Sequence, residues 1–135
     1  MNKDATSRIV VVDDDPAFRD FMFDLLAEEG FEPVLWDAAA GAAGLVAETQ
    51  PSLVILDIRL EAPGSGWQVL TQLKAAEPTR DIPVLVCSAD NSLSSKAGSW
   101  CEQSGVWLVE KPFSVDDLLA VMSLALQARA LTYSG

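Results

Sequence analysis

The chain contains no histidine. That absence excludes histidine-based catalytic triads, imidazole metal sites and a phosphohistidine carried on this chain. Basic residues are also scarce: 9 Lys and Arg stand against 20 Asp and Glu, a formal net charge of −11 over 135 residues. A surface so poor in cations lacks the Lys/Arg footprint that nucleic acid requires, and it is equally unsuited to an anionic membrane surface. Apolar runs are strand-sized, far short of the roughly 20 residues that span a bilayer. The opening segment MNKDATS is polar and has no apolar stretch of the kind a secretory signal carries, so a cytoplasmic protein is expected. The only cysteines are Cys87 and Cys101. They form neither a disulfide framework nor a zinc pattern, and Cys87, inside an apolar run, reads as a small core residue.

What remains is ample for one core. Half of the residues are hydrophobic, and the length suits a single domain of residues 1–135, with its core at about 7–128 and short polar tails. Four runs, Ile9–Val12, Leu53–Leu56, Val84–Cys87 and Val106–Val109, are rich in Val, Ile and Leu and do not alternate with polar residues. Such runs are typical of parallel strands covered on both faces. A weaker strand is expected around Pro33–Trp36.

Helical patterns fall between these runs. Asp15 followed by Pro16 predicts an N-cap and first helical residue, with Phe18, Phe21, Met22, Leu25 and Leu26 as the apolar stripe and Gly30 as the stop. Further helices are expected over Ala39–Glu48, over Gly66–Ala76 with Trp67, Leu70 and Leu73 inward, and over Val115–Ala128. The last has the stripe Leu118, Leu119, Met122 and Leu126, with Ser114 as its cap and Asp116 and Asp117 favourable in its first turn. The Ser- and Gly-rich segment 91–105 has few apolar anchors and predicts a marginal, mobile helix. Strand and helix thus alternate five times, which argues for a doubly wound α/β domain with right-handed crossovers.

In such a sheet all strand carboxyl ends share one edge, where ligands bind. Asp13, Asp14 and Asp15 follow the first strand, Asp57 the third, Ser88 the fourth, and Lys111 with Pro112 the fifth. Carboxylates without His or Cys are hard ligands suited to Mg2+. Asp13 and Asp14 could position the ion, and Asp57 could be both a ligand and a nucleophile toward phosphorus. Lys111 and the Ser88 hydroxyl could hold phosphoryl oxygens. Asp15, before Pro16, reads as structural.

Taken together, VVVDDDP, LVILDIRL, VLVCSAD and VEKPF, in this order and spacing, resemble the receiver domain of two-component response regulators over roughly residues 7–128. The resemblance implies a flavodoxin-like five-stranded parallel sheet of order 2-1-3-4-5, and Asp57 as acceptor of a phosphoryl group from a partner histidine kinase or phosphotransfer protein. It implies Mg2+, with Mn2+ or Ca2+ able to substitute, on Asp13, Asp14, Asp57 and the backbone carbonyl of Arg59. Ser88 corresponds to the switch hydroxyl, Lys111 to the active-site lysine, and Lys111-Pro112 to a cis X-Pro bond. Arg59 and Asp90 fall at positions that tune phosphoryl lifetime, and a pair between them across the site mouth would alter access of the attacking water.

The resemblance further implies output through the face of the fourth helix, fifth strand and fifth helix, toward a downstream protein or a second copy. No turnover enzyme is expected beyond the protein's own phosphorylation and dephosphorylation. Two departures stand out. Leu108 occupies the usual aromatic switch position, with Trp107 beside it, and the segment after Asp57 is one residue longer than the common pattern. Two alternatives remain at this level: an interaction module that does not depend on phosphorylation, and an aspartyl-phosphate phosphohydrolase. The second lacks the acid usual two residues after its nucleophile, where Arg59 stands. With no output domain after Tyr133, the sequence reads as a single-domain regulator or a receiver cut from a longer protein.

Overall fold

The computed structural model describes residues 7–58, 65–88, 105–110 and 113–134, without the side chains of Ser88 and of 128–134. Five strands, β1 (Arg8–Val12), β2 (Glu32–Trp36), β3 (Leu53–Asp57), β4 (Val84–Ser88) and β5 (Val106–Glu110), form one parallel sheet of order β2-β1-β3-β4-β5. This is the expected fold class and strand order. The helices are α1 (Pro16–Glu28), α2 (Ala42–Thr49), α3 (Ser65–Ala75), the single-turn α4 (Glu77–Arg80) and α5 (Val115–Ser134). The helix expected within 91–105 lies outside the described residues, apart from Gly105.

The unbroken apolar runs are explained by two cores. Val10, Val12, Val54, Leu56, Val84 and Val86 pack with Val46, Leu70 and Leu73 on the α2/α3 side. Ile9, Val11, Leu53, Ile55, Leu85 and Cys87 pack with Met22, Leu26, Leu118 and Met122 on the α1/α5 side. Alternate residues of one strand therefore serve opposite faces, and in the central strands β1, β3 and β4 both faces are buried.

Capping sets the helix ends. The Asp15 carboxylate accepts the Ala17 N–H at 3.0 Å, and Pro16 opens α1, as expected. At the far end Gly30, at φ +90°, donates to Ala27 O at 3.1 Å, and Phe31 N donates to Leu26 O at 2.9 Å. That is the paired closure of a Schellman turn, which needs the left-handed residue. Ser114 Oγ accepts the Asp117 N–H at 3.0 Å and caps α5, again as expected.

Four details depart from the sequence reading. Phe21 is not in the buried stripe: it is 42% exposed, its ring 6.3 Å from that of Phe18, while Met22 and Leu26 carry the burial. Helix α2 starts at Ala42 rather than Ala39, because Gly41 takes φ +81° and closes a turn over the Trp36 indole. Helix α4 was not anticipated; Pro78 in its first turn was the available signal. Finally, α5 runs to Ser134, past Ala128, and Ala125 is among its buried residues.

At the amino-terminal pole of the sheet Lys74 reaches out of α3. Its Nζ donates to the carbonyls of Ile82 at 2.9 Å, Arg80 at 3.1 Å and Gly105 at 3.5 Å. Burial lowers its pKa from 10.5 to about 8, and Asp81 partly opposes this. The folded-state value lies below the unfolded one, so the unfolded chain holds more protons between about pH 8 and 10.5. This group's contribution to stability therefore rises with pH across that window. Urea unfolding should show the stability difference between the parent and Lys74→Met moving in the parent's favour from pH 7.5 to pH 10. A constant difference would contradict it.

Candidate functional site

Strand pairing builds the site. Val12 pairs with Leu56 across β1 and β3, so the next residues, Asp13 and Asp57, stand level on adjacent strands. Asp57 in turn pairs with Cys87 of β4, and Ser88 with Glu110 of β5. Lys111 follows Glu110 directly in the chain. By strand alternation, Asp13 and Asp57 continue the series Val11 and Ile55 on the α1/α5 side.

Carboxylate oxygens of Asp13, Asp14 and Asp57 all lie within 4.8 Å of one another. Asp13 is 1% exposed, Asp14 is exposed and Asp57 is half-buried. The donors are all hard oxygens. Mg2+ binds at 2.0–2.1 Å in an octahedron, which sets ligand oxygens roughly 3 Å apart in cis and about 4.2 Å apart in trans. Small side-chain movements would bring the three carboxylates to those distances, so the residues fit such an ion.

The backbone around the acids is restrained on several sides. Asp13 N donates to Trp36 O at 3.0 Å, and Asp13 Oδ1 accepts the Asp15 N–H at 2.9 Å. Arg19 Nη1 donates to Asp13 O at 2.8 Å. Beyond Asp57, Ile58 N donates to Cys87 O at 3.2 Å, and the buried Gly66 of α3 backs directly onto the Ile58 backbone. Arg19 and Gly66 were not expected at the site. The only signal for Arg19 was a cation one turn into a helix that starts at the acids.

The structure thus brings Asp13, Asp14 and Asp57 together and gives Asp15 its cap. Leu108 packs against the α2/α3 core and Trp107 against the α1/α5 core. Arg59, Asp90, Lys111, Pro112 and the Ser88 side chain, expected at the site, lie outside the described residues. So does the expected Arg59–Asp90 pair. Leu108, Glu110, Phe113, Asp117 and Val121 line an open groove of about 430 Å3 between β5 and α5. Among the described residues no helix is long and apolar enough to cross a membrane.

Comparison with known proteins agrees with this fold. The family model described as the response regulator receiver domain matches residues 9–123. The phosphate regulon transcriptional regulatory protein PhoB of Escherichia coli is 34% identical over 113 residues, covering 84% of this chain and 48% of PhoB. The chain therefore spans about half the length of the curated relatives it matches. Among solved structures, NtrX from Brucella abortus superposes with a TM-score of 0.81 at 30% identity, over 96% of this chain and 28% of NtrX. A CheY-like response regulator receiver domain protein from Methanospirillum hungatei has a TM-score of 0.81 at 22% identity, covering 95% of this chain and 99% of its own, and shares the fold. With a family match across most of its length, this chain belongs to the receiver domains of two-component response regulators.

Proposed function

We propose that the chain is a single receiver domain that acts as a phosphorylation-controlled interaction switch. A phosphohistidine of a sensor kinase or phosphotransfer protein presents phosphorus to Asp57. The Asp57 carboxylate forms the new O–P bond as the N–P bond breaks, and the electron pair returns to the histidine nitrogen. The observation that carries this reading is the meeting of the Asp13, Asp14 and Asp57 oxygens within 4.8 Å at the carboxyl edge of the sheet.

Asp13, Asp14 and Asp57, with the Arg59 carbonyl, would hold Mg2+, which supplies the positive charge that offsets three carboxylates and the phosphoryl oxygens. Lys111 and Ser88 take two of those oxygens, and their recruitment shifts an existing equilibrium of the segments after β4 and β5. Arg59 and Asp90 govern how readily water reaches the phosphoryl group. A downstream protein or a second copy reads the surface formed by segment 91–105, β5 and α5. The protein catalyses no turnover beyond its own phosphorylation and dephosphorylation, and it works in the cytoplasm without contacting nucleic acid or membrane itself.

The test is phosphoryl uptake from acetyl phosphate with and without Mg2+, read as intact mass. The parent should gain one phosphoryl group only with Mg2+, and Asp57→Asn should gain none. No uptake by the parent would leave the phosphorylation-independent module as the better reading. Sustained release of phosphate from a generic phosphoester would favour the phosphohydrolase.

A further inference from the structure

Three acids carry the proposed metal site, but two of them, Asp13 and Asp14, are joined by a single peptide group whose orientation decides where the second one points. Asp14 is exposed, and the backbone sets the direction in which its side chain leaves the loop. The Asp13 N–H is anchored to Trp36 O, and its carboxylate holds the Asp15 N–H. The carbonyl that begins the Asp13–Asp14 peptide is held by a side chain, the Arg19 guanidinium, at 2.8 Å. Arg19 is half-buried, and its own N–H donates to Asp15 O at 3.0 Å, so the residue that grips the loop is itself fixed by the first turn of α1.

We infer that Arg19 is a positioning residue for divalent-cation binding: by holding the Asp13 carbonyl it fixes the peptide that aims the Asp14 carboxylate at the site shared with Asp13 and Asp57. The inference rests on the metal reading above and adds a residue that touches neither the ion nor the phosphoryl group.

Two effects of Arg19 have opposite signs, which makes the role testable. As a cation near the site, Arg19 repels Mg2+, so its removal on electrostatic grounds alone would tighten binding. As an orienting partner, its removal loosens the loop and weakens binding, and groups that orient metal ligands typically contribute 10–100-fold in affinity.

The experiment is calorimetric titration of Mg2+ into the parent, Arg19→Met and Arg19→Lys, with hydrogen exchange of the Asp15 amide followed in the metal-free proteins. Arg19→Met should bind Mg2+ about 10-fold more weakly and exchange the Asp15 amide faster. Arg19→Lys, which keeps a donor, should recover part of both. If Arg19→Met does not fold, a weakening and faster exchange in Arg19→Lys alone carry the result, because its charge is unchanged. Unchanged or tighter Mg2+ binding with parent-like exchange overturns the positioning role while leaving the metal reading intact. A parent that binds no Mg2+ overturns the metal reading and this inference with it.

Discussion

Gly66→Ala should lower the melting temperature by about 10 °C and slow phosphoryl uptake at Asp57. A Cβ at this position would lie 2.5 Å from both Cα and C of Ile58, and closer still to its carbonyl oxygen. A flexible side-chain tip could swing away from such an overlap, but these are backbone atoms of a buried residue whose N–H is bonded to Cys87 O. Either the start of α3 moves outward or Ile58 moves toward the sheet. Overpacking of this kind costs about 3 kcal/mol, and each kcal/mol corresponds to roughly 3–4 °C for a domain of this size. Because Ile58 directly follows Asp57, the same displacement reaches the proposed phosphoacceptor. Gly44 supplies the control. It lies inside α2, and a Cβ added there would meet nothing within 4 Å, so Gly44→Ala should stabilise the protein by about 0.5–1 kcal/mol through helix propensity. Thermal unfolding of the two variants checks the pair, and equal shifts of the same sign would refute the steric account.

Asp13→Asn should uncouple stability from Mg2+. Two like charges 4.8 Å apart repel by about 3.5 kcal/mol at an effective dielectric of about 20, and the Asp13, Asp14 and Asp57 oxygens lie within that distance of each other. Asparagine keeps the oxygen that accepts the Asp15 N–H and removes one of the three charges. The variant should therefore be at least as stable as the parent in EDTA. Addition of Mg2+ to 100 times its dissociation constant should stabilise the parent by about 2.7 kcal/mol, or roughly 8 °C, and leave the variant almost unmoved. An equal Mg2+-dependent shift in both proteins would remove Asp13 from the proposed metal site.

The sheet was legible because its strands are buried on both faces, which leaves uninterrupted Val, Ile and Leu that no helix of this length would show. Parallel order then brings Asp13 and Asp57 to one level without further information. The helix details were less legible. Phe21 satisfies the helical spacing, yet sits at the stripe's edge, where periodicity alone does not separate buried from exposed. Helix α4 is a single turn, too short to show any period. The start of α2 depends on the left-handed Gly41 against Trp36, a contact between residues on either side of a turn. The Arg19 bond to Asp13 O and the approach of Gly66 to Ile58 both involve backbone atoms, which carry no residue-type signature. The roles of Lys111, Ser88, Arg59, Asp90 and Pro112 are expectations of sequence order alone.

The two poles of the sheet are built differently. At the amino-terminal pole short main-chain bonds tie strand starts together: Glu32 N to Ser7 O, Ser52 N to Arg8 O, Val54 N to Pro83 O and Val84 N to Gly105 O, with Lys74 gathering three carbonyls beside them. The opposite pole carries the acids. Main-chain bonds also reach the acidic pole, from Asp13 N to Trp36 O and from Ile58 N to Cys87 O, so register is held at both ends, and a connection beyond those bonds can lengthen at small entropic cost, about 0.6 kcal/mol for each doubling of a loop. A sheet held at both ends keeps its strands in register while the loops between them change length.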